Sequence, residues 1–370
     1  MIRRASTCAL VAAFACATTP SLACTNIALK AEDGSAIRAR TMEFAQALDS
    51  NVLLVPTGTS MRGTLPDGGE GIGYTTKYNM LGANAVGTNI VVDGMNDQGV
   101  SIGLLYFPGF AEYAKATPEN ADRAMAPHEF GNWVLGNFAN VDEVKAAIAN
   151  VAVVATPAPA PLNTVQPLHY IVSDSSGKSI VIEPVGGTLK VYDNPLGVMT
   201  NSPGFDWHLT NLRNYVNLSV NSVKPVDLDG TTFSQLGQGA GMHGLPGDFT
   251  PPSRFVRATA FSQAAEPQKT ATDMVLAGFH IMNQFDIPYG TIREDSGKET
   301  IVEYTQWTTV SDMKNLRFYF KTYGNQSIHM IDLAKAFAAA KGEIKQIKMG
   351  TDPLIADEST EFMSGDRSAQ

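Results

Sequence analysis

Cysteine is scarce in this 370-residue chain: there are three, Cys8, Cys16 and Cys24. Basic excess is absent too, since 27 Lys and Arg face 36 Asp and Glu for a formal charge of −9. That balance excludes the electrostatic footprint nucleic-acid binding requires. No stretch after the N-terminus is long and apolar enough for a membrane helix. The six histidines, His128, His169, His208, His243, His280 and His329, are scattered without metal-ligand spacing, and each reads as surface or satisfied core. No metal or organic cofactor is implied. No repeat is present. With 44% hydrophobic and 17% charged residues, a substantial core is available and whole-chain disorder is excluded.

What is there begins at the N-terminus. Residues 1–23 combine Arg3 and Arg4, an apolar run from Cys8 to Ala17, and small residues at Ser21 and Ala23. This is the pattern of a secretory signal peptide, too short to span a membrane. Its removal takes away two arginines and no acid, bringing −9 to −11, and leaves Cys24 as the first and only cysteine of an exported chain. No intrachain disulfide can then form. Three readings of Cys24 compete. It is an ordinary buried cysteine behind a misplaced cleavage site, or the acylated cysteine of a lipoprotein, or an N-terminal nucleophile. Lipidation fits poorly, because Ser21 stands where a large aliphatic is preferred and no flexible tether follows. As a nucleophile, Cys24 would carry both thiol and α-amine. An α-amine has an ordinary pKa near 8 and can relay the thiol proton without a histidine.

Period-2 alternation predicts strands over 24–31 and 36–44, joined by the turn Glu32-Asp33-Gly34-Ser35, so that a hairpin returns the second strand to Cys24. The Gly-rich 57–75 segment reads as loop. A second hairpin is predicted over 89–107 around Asn96-Asp97-Gln98-Gly99. Helix follows over 127–150, an extended linker over 155–161, and strands over 168–174, 179–184 and 188–192. Helices are expected over 205–218 and 254–285, strands over 302–333 and a short helix over 334–341. Hairpins, then helices, then strands indicate an α+β architecture. The expected organisation is a signal peptide (1–23), one domain (24–352) and a loose acidic tail (353–370). Gly177-Lys178-Ser179 lacks the leading glycine of a phosphate loop, and Gly69, Gly71 and Gly73 lack dinucleotide spacing.

Six motifs occur in order: Cys24-Thr25-Asn26, Arg40-Thr41-Met42-Glu43-Phe44, DGMNDQG at 93–99, Tyr106-Phe107-Pro108-Gly109, MTNSP at 199–203 and GLPGDFTPPSRFVRA at 244–258. Together they resemble the choloylglycine hydrolase family of bile salt hydrolases, penicillin V acylases and acyl-homoserine-lactone acylases. The resemblance implies the N-terminal nucleophile hydrolase fold, four layers (αββα) with two antiparallel sheets, and hydrolysis of a linear amide C–N bond through a thioester. Position by position it implies that Cys24 is the nucleophile and Arg40 the cation beside the thiol. Glu43, one methylene longer than the usual aspartate, would help hold the α-amine. Asn201 and a backbone N–H at Tyr106 would form the oxyanion hole, and Arg254 would support the charge network. Tyr106 resembles penicillin V acylases, where typical bile salt hydrolases have asparagine. Met42, Phe44, Phe107 and Phe110 are candidates for acyl-pocket surface, with core packing at least as fitting for Phe44 and Phe107. A small-molecule amide is the implied partner: penicillin V foremost, with an acyl-homoserine lactone or a conjugated bile salt as alternatives. The export signal points to a periplasmic, Gram-negative-type member, and the family implies a homotetramer. A lipid-anchored binding protein is the non-enzyme alternative.

Overall fold

The computed structural model describes residues 23–295, 297 and 300–359. The expected signal peptide, Ala23 apart, and the tail after residue 359 lie outside the described residues.

Strand β1 (Cys24–Lys30) pairs antiparallel with β2 (Ala36–Phe44), placing Cys24 opposite Met42. The turn closes because Asp33 Oδ1 accepts the Ser35 N–H at 2.8 Å and Gly34 takes φ 83°, which a residue without Cβ reaches freely. β2 continues this first sheet through the strands Thr300–Asp312, Arg317–Thr322 and His329–Asp332. Next come β3 (Asn51–Val55), β4 (Ser60–Thr64), β5 (Glu70–Thr75), β6 (Met80–Asn84), β7 (Val91–Asn96) and β8 (Ser101–Tyr106). The second sheet runs Thr188–Asp193, Ser179–Val185, Leu168–Ser173, β8, β7, β6, β3, Lys345–Lys348, antiparallel throughout.

Helices Pro251–Ala264 and Ala271–Met282 pack on β1 and β2, while Phe130–Asn137 packs on β7 and β8. The layers are therefore helix, sheet, sheet, helix, as expected. One apolar cluster joins Ile27 and Ile37 of the first sheet to Leu81 and Ile171 of the second and to Phe255 and Phe279 of the helices. A second joins Val91, Ile102 and Tyr170 to Phe130 and Val134. Each such fully buried side chain stabilises the fold by about 2 kcal/mol over leaving it in water. Because both faces of β2 are covered, eight of its nine residues are buried and only Phe44 is partly open. Period 2 then directs Arg38, Arg40 and Met42 to one face, and their cross-strand partners Ala28, Asn26 and Cys24 to the same face.

The 57–75 segment corrects the sequence expectation. It contains the hairpin β4–β5 rather than loop alone. Two of its glycines, Gly63 and Gly71, are packing devices: a Cβ on Gly71 would sit 2.1 Å from the Ala124 carbonyl oxygen, so only glycine lets that backbone approach.

Candidate active site

Cys24 lies at the inner start of β1, buried, with its Sγ 3.3 Å from Arg40 Nη2 and 4.0 Å from Met42 Sδ. The Arg40 contact follows from register, since Arg40 is the diagonal neighbour of Cys24 on the face that looks towards the second sheet. Arg40 is fixed from that sheet: Nη1 donates to Val92 O at 2.9 Å and lies 3.5 Å from Asp93 Oδ2. Asp93 is fully engaged, with Arg38 Nη2 at 2.7 Å on Oδ2 and Thr309 Oγ1 donating at 2.7 Å to Oδ1. This buried network ties β2 to β7 and aims one guanidinium at the thiol. Burial pushes the thiol pKa up, Arg40 opposes that shift, and Glu43 adds to it. The cation thus offsets a desolvation cost instead of leaving a spontaneously ionised thiol.

The other side of Cys24 is polar main chain and amide. The Cys24 N–H donates to Asn201 Oδ1 at 2.8 Å, and Arg254 Nη2 donates to the same oxygen at 2.7 Å. Two donors on one atom assign it as oxygen, so the amide nitrogen is the group that donates to Tyr106 O at 2.8 Å. That NH2 has a second hydrogen to offer. Arg254, in the first turn of its helix, also donates through Nη1 to Cys24 O and to Thr25 Oγ1, and through Nε to Phe249 O at 2.8 Å. At Tyr106 the backbone has an open donor direction. Phe107 N–H donates to Pro167 O, so by strand alternation the Tyr106 N–H faces the opposite side, towards β7. The β7–β8 ladder has already ended there, at Asp93–Gly103.

Glu43 departs from the expectation. It is buried beside Cys24, but its carboxyl accepts from Thr305 Oγ1 at 2.7 Å, and Oε2 has no hydrogen-bond partner. In this chain the Cys24 nitrogen is a peptide nitrogen bonded to Asn201, not to Glu43. Burial pushes the Glu43 pKa up to about 8, with Arg254 opposing. A second buried carboxyl, Glu303, accepts the Ala23 N–H at 2.5 Å, and burial pushes its pKa up to about 7.

A cavity of about 660 Å³ opens from Cys24 and Met42. It runs between Ile90 and Val92 on one side and Leu104 and Tyr106 on the other, where β7 and β8 have parted, and reaches His128, Pro159 and Leu168. Phe44 lines it and meets Tyr106 edge-on, with ring centres 5.8 Å apart. A wider, more polar hollow of about 1170 Å³ adjoins it through Phe44, Tyr106, Leu162 and Gln166 and extends to Thr300–Val302.

The structure brings Cys24, Arg40, Glu43, Tyr106, Asn201 and Arg254 together, with Met42 and Phe44 on the cavity wall. Phe110 is a correction, and Phe107 takes its core-packing alternative in place of pocket surface. The Phe107 side chain is fully buried and stacks on His169, ring centres 4.3 Å apart, because it alternates away from Tyr106. Phe110 is exposed and packs on Phe107, outside the cavity lining. Sequence reasoning gave no role to Asp93, Thr305, Glu303 or His128. Asp93 opens the motif DGMNDQG and could have been flagged by it, whereas the other three carry no local signal. Among the described residues no three His, Cys, Asp or Glu could hold a metal, and no helix is long and apolar enough to cross a membrane.

Comparison with known proteins agrees with this geometry. The family model for linear amide C–N hydrolases, choloylglycine hydrolase family, matches residues 24–342. A bile salt hydrolase/transferase of Clostridium perfringens is 35% identical over 316 residues, covering 84% of this chain and 93% of that protein. A penicillin V acylase of Pectobacterium atrosepticum is 28% identical, covering 85% of this chain and 81% of that protein. The crystal structure of a conjugated bile acid hydrolase variant from Clostridium perfringens superposes with a TM-score of 0.80 at 33% identity, covering 90% of this chain and 99% of that one. This chain belongs to the choloylglycine hydrolase family of linear amide C–N hydrolases and has its N-terminal nucleophile hydrolase fold.

Proposed function

We propose that the protein is exported, that residues 1–23 are removed, and that the exposed Cys24 hydrolyses N-acyl amides of the penicillin V class. The observation that carries the reading is a guanidinium 3.3 Å from the Cys24 thiol together with an amide fixed between the Cys24 nitrogen and Tyr106 O, at the mouth of an apolar cavity.

In this reading, cleavage after Ala23 turns the Cys24 peptide nitrogen into an α-amine. Asn201 Oδ1, already 2.8 Å from that nitrogen, orients it, and the unpartnered Glu43 Oε2 is the carboxyl available to its charge. The amine takes the thiol proton and Arg40 stabilises the thiolate, which attacks the amide carbonyl. The second Asn201 Nδ2 hydrogen and the Tyr106 N–H receive the oxyanion. Such preorganised donors are typically worth about 3 kcal/mol each in the transition state. The protonated amine returns its proton to the leaving nitrogen. Water then attacks the thioester, the amine acting as base, and the acid departs with the thiol restored.

The acyl group enters the apolar cavity, while the wider hollow by Thr300–Val302 receives the amine side. Tyr106 favours an aromatic or alkyl acyl group, since its ring and that of Phe44, packed edge-on, both line the apolar cavity. Conjugated bile salts are the second reading, favoured by the 35% identity to a bile salt hydrolase/transferase. A homotetramer is part of the proposal; the exposed Val226, Leu228 and Phe233 of a short hairpin support contact between chains. The mature protein should turn over penicillin V or N-acyl-homoserine lactones well above glycocholate. Comparable turnover of glycocholate would replace the first reading by the second.

A further inference from the structure

The far end of the acyl cavity holds a polar group that nothing above uses. His128 lines the cavity and is 7% exposed, yet neither ring nitrogen makes a hydrogen bond among the described residues, and Nδ1 is fully buried without a partner. The other two buried histidines each have at least one bonded ring nitrogen, although His208 Nδ1 is likewise buried without a partner. His169 has Thr200 O at 3.0 Å and Glu183 Oε1 at 3.4 Å, and His208 Nε2 has Asn201 O at 2.9 Å. Away from the nucleophile, the remaining polar side chains on the wall are already occupied. Thr88 Oγ1 donates to Ala85 O at 2.7 Å, Tyr106 O–H donates to Gln166 Oε1 at 2.5 Å, and Gln166 Nε2 donates to Thr164 Oγ1 at 2.7 Å.

The backbone that carries the imidazole is anchored. It sits in the short turn Pro127–Glu129, where Glu129 accepts from Thr64 Oγ1 at 2.7 Å and from Ala126 N–H at 2.8 Å, and Pro127 O accepts from Tyr170 O–H at 3.0 Å. Burial pushes the His128 pKa down to about 4, so at neutral pH the ring is uncharged and offers one N–H and one acceptor nitrogen. A buried polar group without a partner is costly, and a bound ligand that supplies the partner recovers that cost. A charged oxygen would lose its hydration in this apolar cavity, so the site favours a neutral one.

We propose that His128 is a specificity-determining residue that receives an oxygen carried by the substrate's acyl group, so that amides of hydroxy-, oxo- or ether-bearing acyl groups are preferred to their plain hydrocarbon counterparts. This rests on the amidase reading above.

The test uses matched amides that differ at one atom: N-phenoxyacetylglycine against N-(3-phenylpropanoyl)glycine, and N-(3-hydroxydecanoyl)glycine against N-decanoylglycine. Turnover by the mature enzyme and calorimetric binding to Cys24→Ala are both measured, alone and with His128→Leu or His128→Gln. We expect the oxygen-bearing member of at least one pair to be preferred by about tenfold. His128→Leu should bring that ratio to about one, and His128→Gln should restore part of the preference. An unchanged ratio in His128→Leu, or an equal fall for both members in both variants, overturns the proposal. If no amide is hydrolysed, the amidase reading fails by itself, and the binding ratios in Cys24→Ala still decide for or against His128.

Discussion

The two ends of the site are built on opposite plans. Around Cys24, ionisable and amide groups are packed between the sheets at hydrogen-bond distance, and Asp93, Arg40, Arg254 and Asn201 each answer to more than one partner. In the cavity beyond, the wall is almost wholly apolar and one imidazole stands unbonded. The difference separates two tasks. Bond cleavage needs groups already oriented before charge develops, so their orientation is set by mutual hydrogen bonds within the folded sheets. Substrate choice needs surface that releases water and one group left waiting for a ligand. Substitutions at the first end should therefore change rate, and those at the second should change preference.

The largest effect is expected from Cys24→Ala, which removes the nucleophile while deleting little core. Hydrolysis should fall on the order of 10⁴-fold or more, with an unchanged thermal unfolding profile. Substantial residual turnover would place the chemistry elsewhere. Asn201→Ala comes next: it removes an oxyanion donor and the acceptor that holds the Cys24 nitrogen, and kcat should fall about 10²- to 10³-fold. A change in KM alone would assign Asn201 to binding.

Arg40→Leu removes the cation that touches Sγ. The pH midpoint for thiol alkylation should move upward, because burial would then act unopposed on the thiol. An unshifted alkylation profile would break the link between the buried network and the nucleophile.

Smaller effects concern pH and stability. The folded-state pKa of Glu43 lies near 8 and that of Glu303 near 7, both above the ordinary 4.5. In a chain that retains Ala23, stability is therefore fullest below about pH 4.5 as far as these groups are concerned and declines as pH rises through 7 and 8. The total is on the order of a few kcal/mol, and Glu43→Gln should flatten the decline. In the mature chain the α-ammonium beside Glu43 should shrink it. His128 and His208 act from the other side. Both have pKa values pushed down to about 4 from 6.5, so protonation costs stability as pH falls from about 6.5 towards 4. Urea unfolding across pH 4–9 for the two chain forms reads both limbs; a loss of stability equal in mature and Ala23-bearing chains would contradict the pairing of Glu43 with the amine. At the smallest end, Phe44→Ala should raise KM for aromatic acyl amides by less than about tenfold with little change in kcat. A matching fall in kcat would show that the two ends are not separable.

Much of the frame was legible in the sequence because its signals are local. The alternation over 24–31 and 36–44 and the turn at Asp33-Gly34 are enough to specify the first hairpin, and through its register the approach of Arg40 to Cys24. The 57–75 hairpin was not legible, because two of its glycines serve a contact with Ala124 that only the fold reveals. The six residues at the thiol come from elements up to 230 positions apart, as the Arg254 contact with Cys24 shows, and spacing alone does not join them. They were recognised as a set through the ordered motifs. For Phe107 the sequence leaves pocket surface and core packing both open, because an aromatic beside Tyr106 gives no sign of which face it takes, and one step along the strand turns it into the core. His128 and Glu303 had no motif at all; each matters because of what the fold leaves unbonded or brings to Ala23.

Catalysis here depends most on Cys24 being a free, reactive N-terminus. The most direct measurement is the intact mass of the exported protein, before and after rapid acid quench with penicillin V. The expected result is a chain of residues 24–370 without modification, gaining one phenoxyacetyl group that maps to Cys24 and is absent in Cys24→Ala. A diacylated Cys24, or a chain that still carries residues before Cys24 and yet hydrolyses the amide, would contradict it.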